Sequence, residues 1–462
     1  MLKKNPEYVF IFLLLLMSIA YNYQGILFDV PYSIHQWRQA DGLSITLNYY
    51  KENLNFFQPS LNWIGYKGTG KAVGEFPIFY YIVAQLWKLF GQHEFIFRLL
   101  NVIIVYIGLY HLYKLFKMRI QNTFWSIFSV LIIFTSPILV YYTNNFIPDA
   151  PALGLAMIAC YHMNIYFSSQ SSRALYLSCL FFLFAGLLKI TILIILLALL
   201  PLIIYLILKH RDKYKFNSLI PIAFIFIPII AWIKYADYYN SANNKNVFLQ
   251  QILPIWNMNS AKIKDISLSF FHTILPSAFN ITVLFILLFL YLFSVANYKK
   301  ANAFLLMLTT MTLGGSIVFI LLFFQNLGVH DYYLISLLIV VPLILLTFID
   351  LILKTSPEFF TNRSIKILAS IVLLMLIYQT TIITRMKYNV KDLLVNNSFI
   401  IDRFDLEYWN WYHWNYDNTL KPLETIKPYL ASLGISRDDF VISIPDQSLN
   451  ISLYLMDVKG FT

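Results

Sequence analysis

The sequence predicts an all-α polytopic membrane protein of about eleven spanning helices, with outer-face loops and a small α/β segment near its C-terminal end. Three observations predict this. Apolar residues make up 59% of the 462 and charged residues only 12%, against about 25% charged in a soluble domain. Apolar runs long enough to cross a bilayer recur along the chain. The basic residues fall in alternate loops, as the positive-inside rule requires.

The first run, about 8–26, follows Met1-Leu2-Lys3-Lys4. It lacks a small-residue cleavage site and is long enough to span, so it reads as a retained first helix, not a signal peptide. Further runs cover about 95–113, 123–142, 150–167, 174–188, 190–208, 218–236, 280–296, 302–325, 332–351 and 366–384. Lys189 interrupts the 174–208 stretch, where two spans and a re-entrant pair both fit. With Lys3 and Lys4 inside, every second loop is basic: Lys114, Lys117 and Arg119; Arg173; Lys209 to Lys215; Lys299 and Lys300; Lys354, Arg363 and Lys366. The alternate loops 143–149 and 326–331 contain no Lys or Arg. The N-terminus is therefore placed in the cytoplasm and the tail beyond about Arg385 outside.

The organisation expected is a transmembrane part over 1–385 and an extracytoplasmic soluble tail over 386–462. The tail reads as α/β, with a helix over Glu424–Leu433 closed by Gly434 and a buried strand at Phe440–Ile444. One helix and one strand leave an open edge, so the tail either pairs elsewhere or continues beyond 462. The first outer loop, about 28–94, contains DGLSITLNYYKENLNFF, whose spacing suits an amphipathic helix lying in the interface. A third outer region, 237–279, starts polar and Asn-rich. Cys160 and Cys179 lie in apolar runs with no CxxC or Cys–His cluster, so they form neither a disulfide framework nor a zinc site. The net charge of +11 follows membrane topology, and no nucleic-acid partner is expected.

Nine of the thirteen acidic residues before the tail fall on the outer side. Carboxylates at a membrane boundary cost free energy unless they are used or paired. Five pieces of chain reach the same outer depth: His35-Gln36-Trp37-Arg38-Gln39-Ala40-Asp41; Lys71 with Gly74-Glu75-Phe76-Pro77; Asn144 to Pro151, including Asp149; Lys189; and His330-Asp331-Tyr332-Tyr333. Together they offer carboxylates, cations and aromatic rings at the lipid boundary, a mixture suited to a phosphate head on a lipid tail. Sugar transfer fits that set. A carboxylate takes the proton of an attacking hydroxyl, and cations stabilise the phosphate that leaves. One base and a cationic clamp would give single displacement with inversion, by analogy with inverting glycosidases.

These segments, in this order and on this side of the membrane, resemble the C superfamily of glycosyltransferases (GT-C). The motifs that carry the resemblance are HQWRQADGLSITLNYY, GEFPIFYYIVAQLWKLFG, SPILVYYTNNFIPDAPALGLA, AGLLK and HDYYLISLLIVVPLI. The nearest branch looks like family 39, which holds protein O-mannosyltransferases and the lipid A aminoarabinose transferase. It implies a sugar transferase using a polyprenyl-phosphate-linked donor, with a lipid, glycan or protein acceptor, in the bacterial inner membrane. It places the catalytic carboxylate on Asp41 and a second acidic position on Asp149. The step that contacts metal or phosphate falls on Glu75-Phe76-Pro77. Phe76 stands where the aminoarabinose branch has lysine, which leaves phosphate binding to Arg38, Lys71 or Lys189.

Each residue also has a structural reading. Asp41 and Asp149 could be helix N-caps, Arg38 could snorkel to headgroups, and Tyr332-Tyr333 could belong to an interfacial aromatic belt. No cofactor is assigned. A divalent ion on Glu75 and His330, with His35 or His272, is left open, since nothing in the spacing demonstrates it. His35, Trp37, His330, Asp331 and Tyr332 remain site candidates. A lipid-linked sugar flippase or other transporter is the non-enzyme alternative, but it normally carries ionisable groups near the membrane midplane and repeated halves. A surface polysaccharide polymerase or ligase shares substrate class and is not excluded.

Overall fold

A computed structural model describes residues 5–244, 247–248 and 252–462. Lys3 and Lys4, which anchor the cytoplasmic assignment of the N-terminus, lie outside the described residues. So do 245–246 and 249–251, within the third outer region.

The apolar runs fold as helices, the form in which a lipid-exposed backbone satisfies its own N–H and C=O groups. Among the described residues seven are long and apolar enough to cross a membrane, or up to nine if two bent pairs each count as one span. The expected eleven is not reached as a count. Pro6–Ala20 and Ser172–Leu188 have 15 and 17 residues, about 22 and 26 Å at 1.5 Å per residue, short of a core about 30 Å thick. The bent pairs are Thr123–Ile133 with Pro137–Thr143, at 77°, and Ser260–Ala278 with Ile281–Ala296, at 81°. The first bend falls at Pro137, which has no N–H to continue the helix ladder.

The 174–208 stretch resolves into two helices, Ser172–Leu188 and Ile194–Lys209, the second entered through a 3-10 turn. Lys189 stands between them in extended backbone, with φ −151° and ψ 101°. Ser172–Leu188 packs back along Asp149–Ser169, so its end returns to the level at which that helix began. Asp149–Ser169 also packs against Phe95–Ile120. A Cβ on Gly108 would stand 2.5 Å from the Cα of Gly154, so two glycines let these backbones touch.

The segment DGLSITLNYYKENLNFF of the first outer loop does not form an interfacial helix. Gln36–Lys51 is helical, but it is buried without a break from Gln39 through Tyr49. Ile78–Phe90 and the tail helix Ile451–Met456 both pack against it. The alternation in its sequence therefore serves protein on all sides rather than lipid on one.

The tail is docked on this loop. Phe440–Ile442 (β1) pairs in parallel with Lys459–Phe461 (β2), which supplies a partner for the open edge. Gly460 of β2 in turn bridges Trp63. Asn62 Nδ2 donates to the carbonyls of Leu453 and Val458 at 3.2 and 3.1 Å, and Arg437 pairs with Asp457 and Glu52. Two details differ from expectation. Phe440 and Ile442 are exposed, because no further layer covers them among the described residues. The helix expected over Glu424–Leu433 is broken into a 3-10 turn at Lys421–Thr425 and a helix at Lys427–Ser432, because Pro428 disfavours continuous helix through the residue before it. Gly434 closes it with φ +77°.

Candidate active site

All five sequence pieces contribute to one cluster, the second through Glu75 and the third through Asp149, and it gathers around Tyr332. Its ring lies 5.1 Å from that of His35, 5.4 Å from that of His330 and 6.0 Å from that of Tyr142. The Lys189 ammonium sits 5.1 Å above Tyr332 and 4.3 Å above Tyr333, a favourable cation–π arrangement. The tyrosines thus line the cluster rather than forming an outward-facing belt.

His35 occupies the N-cap of Gln36–Lys51 in left-handed backbone, φ +54°. A non-glycine residue there is uncommon and points to a position fixed by its surroundings. Its Nε2 lies 3.2 Å from Asp331 Oδ1, which also accepts from the Tyr142 hydroxyl at 2.5 Å. Trp37 packs against the rings of both His35 and His330, at 6.2 and 5.8 Å, and those two rings lie 5.5 Å apart. Burial, with His35 and the Lys189 cation, pulls the His330 imidazole down to about 4, so it is neutral at pH 7.

One turn into the same helix, Arg38 Nη2 donates to both oxygens of Glu75, which also accepts from the Tyr80 hydroxyl. Arg38 is therefore paired within the protein rather than snorkelling. Burial acts to raise the Glu75 carboxyl, but Arg38 and Tyr80 outweigh it and hold the group below its ordinary value. Burial likewise acts against the Arg38 cation and Glu75 reverses it, so the guanidinium stays charged. Both hydrogen bonds to Glu75 use Nη2.

Lys189 and Asp149 form the second pair, Nζ to Oδ1 at 2.7 Å. Asp149 is the first residue of its helix, Asp149–Ser169, and the N-cap position belongs to Pro148; its carboxylate is turned to the lysine that the chain break delivers. Asp41 is not a cap either, since it lies in the second turn of Gln36–Lys51. Its Oδ1 accepts from Asn450 Nδ2 at 2.7 Å, and its buried Oδ2 has no hydrogen-bond partner among the described residues. Asn450 Oδ1 is held in turn by the Trp63 N–H at 3.0 Å and the Ser44 hydroxyl at 3.3 Å. Burial pushes the Asp41 carboxyl up to about 6, against the opposing pull of Arg38 and the Asn450 hydrogen bond.

Lys71 does not join the cluster. Its backbone bridges Ser60 and its carbonyl accepts from Asn244, and no described contact ties its ammonium to the other groups. No set of three His, Cys, Asp or Glu suited to a metal occurs among the described residues. Glu75 is committed to Arg38 and Tyr80, and His272 lies in a separate helical segment, Phe270–Ile274. The sequence reading missed Asn450, Tyr80, Tyr142 and Lys387. Lys387, buried near the end of the last spanning helix, holds its ammonium 4.7 Å above the ring of Tyr141. A lysine so near an apolar span is a signal that sequence could have supplied; Asn450 in SLNIS carries none.

Spanning helices with a buried cluster of cations and carboxylates at one end define a polytopic membrane protein. Residues 74–233 match the family described as dolichyl-phosphate-mannose-protein mannosyltransferase. Two crystal structures of ArnT from Cupriavidus metallidurans share the fold. The one bound to undecaprenyl phosphate superposes with a TM-score of 0.58 at 10% identity, and the apo form with 0.55 at 11%. Each alignment covers 97% of this chain and 85% of the ArnT chain. No curated protein matches the chain in sequence.

Proposed function

We propose that the protein transfers a sugar from a polyprenyl-phosphate-linked donor to a lipid, glycan or protein acceptor. The observation that carries this reading is the cluster itself: Arg38 and Lys189 are each held by a carboxylate, and Asp41, three residues beyond Arg38 on the same helix, has an oxygen unpartnered among the described residues. The fold shared with ArnT, which was crystallised with undecaprenyl phosphate, supports a lipid-phosphate donor. The acceptor hydroxyl gives its proton to Asp41 Oδ2 as it attacks the anomeric carbon. The sugar–phosphate bond breaks with its electrons on the phosphate. Arg38 and Lys189 stabilise that charge, so no general acid is required. A single displacement of this kind inverts the anomeric centre. Glu75 and Asp149 hold the two cations in place, and His35, Trp37 and Tyr332 shape the wall that receives the sugar. The setting proposed is the bacterial inner membrane, with the site on its outer face.

Transfer of radiolabelled sugar from synthetic polyprenyl-phosphate donors, by purified protein in liposomes with a mixed envelope extract as acceptor, tests the reading. Donor-dependent labelling is expected. No consumption of any of several donors, with labelled lipid moving across the bilayer, would replace it with a transporter.

Asn450 has its own expected effect. A hydrogen bond donated to the charged form favours that form, so Asn450→Ala should raise the Asp41 pKa and move the acid limb of kcat/KM upward. A bond to a charged group is worth about 1.5 kcal/mol or more, roughly one pH unit. A uniform loss of activity with an unmoved limb would assign Asn450 to folding alone.

A further inference from the structure

The segment after the last spanning helix folds back along that helix. That helix, Arg363–Tyr388, ends at the site: the Tyr388 ring lies 5.6 Å from Tyr141, and Lys387 covers the same residue. The chain then turns back. Phe399 stacks on Tyr378 with ring centres 5.3 Å apart, and the Tyr378 hydroxyl donates to Ser398 Oγ at 3.3 Å. Tyr378 precedes Tyr388 by ten residues, which is about 15 Å along a helix at 1.5 Å per residue. Phe399 is therefore about 15 Å deeper than the site, on the flank of a helix whose neighbouring residues Leu374 and Met375 face outward.

The outer side of this returning segment carries large apolar side chains, with exposed Asn396 and Asn397 among them and the Asn397 amide bonded back to the Leu393 carbonyl. Leu393 and Phe399 are 78% and 86% exposed, and Leu394 and Ile400 join them. The helix that follows, Arg403–Thr419, places exposed Phe404, Tyr408, Trp411 and Trp414 at spacings of four, three and three, along one face. Its other face is fastened to the protein. The Tyr412 hydroxyl donates to the Ser33 carbonyl at 2.8 Å, His413 Nε2 meets the Met386 carbonyl at 3.0 Å, and Tyr416 packs on Tyr32. So the helix is tied to the strip of chain immediately before His35, with its aromatic face turned away from the protein.

We infer that residues 393–414 are immersed in the bilayer leaflet on the side of the site, with Leu393 to Ile400 at acyl-chain depth and the Phe404–Trp414 face at the headgroup boundary. Depth selects lipid as the occupant. A large exposed apolar patch marks an interaction surface, and this one is continuous with the lipid-facing flank of a spanning helix. Tryptophan and tyrosine at its upper end are the residues favoured where hydrocarbon meets headgroups. The tail is thus not wholly aqueous. Its first part is a wedge that holds the loop carrying His35, Arg38 and Asp41 at the level of lipid phosphates, independently of what reaction occurs there.

Spin labelling of the full chain in liposomes tests this. With Cys160 and Cys179 replaced by alanine, labels are placed by Phe399→Cys, by Met375→Cys as a lipid-facing reference and by Asp438→Cys as an aqueous one. Collisions with oxygen and with a water-soluble nickel chelate are then compared. The label at 399 should match that at 375, with oxygen collisions high and nickel collisions low. A match to 438 would overturn the inference. So would low collision rates with both reagents, which would mean a second copy of the chain covers the segment. The native-cysteine protein gives a second measurement if the cysteine-free one fails to fold. Brominated phospholipids should quench its tryptophan fluorescence, and Trp411→Phe with Trp414→Phe should remove part of the quenched signal; an unchanged quenched fraction would count against immersion.

Discussion

Asp41→Asn should lower turnover by ~10²–10⁴-fold, the usual consequence of losing a general base, while the protein remains folded. The two readouts separate for a physical reason. The Asp41 carboxyl rises from 3.8 to about 6 on burial. A group raised in this way favours folding most below its unfolded value, and that contribution is lost as pH rises through the folded value. At neutral pH the ionised carboxylate therefore costs stability, on the order of 3 kcal/mol for a shift of this size. The asparagine variant escapes that cost, so its thermal midpoint at pH 7.5 should equal or exceed that of the parent. The wild-type rate should fall below about pH 6, where Asp41 takes up its proton. Turnover within about threefold of wild type in the variant would remove Asp41 from the mechanism.

Arg38→Met is expected to damage both stability and catalysis. The Arg38 and Glu75 side chains are only 12% and 14% exposed, and removing one partner leaves the other charge buried. That costs about 3–5 kcal/mol, measured as a loss of thermal midpoint in detergent. Joint replacement by Arg38→Met and Glu75→Leu removes both charges and should recover most of the stability. It should not recover transfer, because the cation proposed to stabilise the leaving phosphate is gone. Arg38→Lys should fold but transfer poorly, since an ammonium cannot reproduce the planar fork of a guanidinium. If the double variant regained wild-type turnover, the pair would be a packing device with no part in binding the donor.

The helices, their order and the convergence of the outer motifs were legible in the sequence because lipid imposes a simple pattern. A spanning run has to be apolar, and a charge at its border stands out. Lys189 is the clearest case: it interrupts an apolar stretch, and it marks both a chain break and one half of an ion pair. The apolar spacing of Gln36–Lys51 misled for the converse reason. Spacing records that a face is buried and does not say whether lipid or protein buries it. Lys71 looked equivalent to Arg38, but a local bridge to Ser60 turns its backbone elsewhere, and such a turn leaves no periodic trace. Nothing in the sequence could have matched Asn450 with Asp41. Their contact spans 409 positions, and asparagine before a short helix is ordinary turn chemistry.

That long separation has a consequence for how the protein is made. The contacts of Gln36–Lys51 with Ser60, Asn62 and Ile78–Phe90 need only the first hundred residues and can form while the ribosome is still working. The hydrogen bond to Asp41 waits until almost everything else has been threaded into the membrane. A chain released early, or cut in its final stretch, could have every spanning helix in place and still carry a carboxylate with no partner on either oxygen, tuned to the wrong acidity. Competence would then arrive as a late event in biogenesis, after insertion, so that partly built copies sit in the bilayer without drawing on the donor pool.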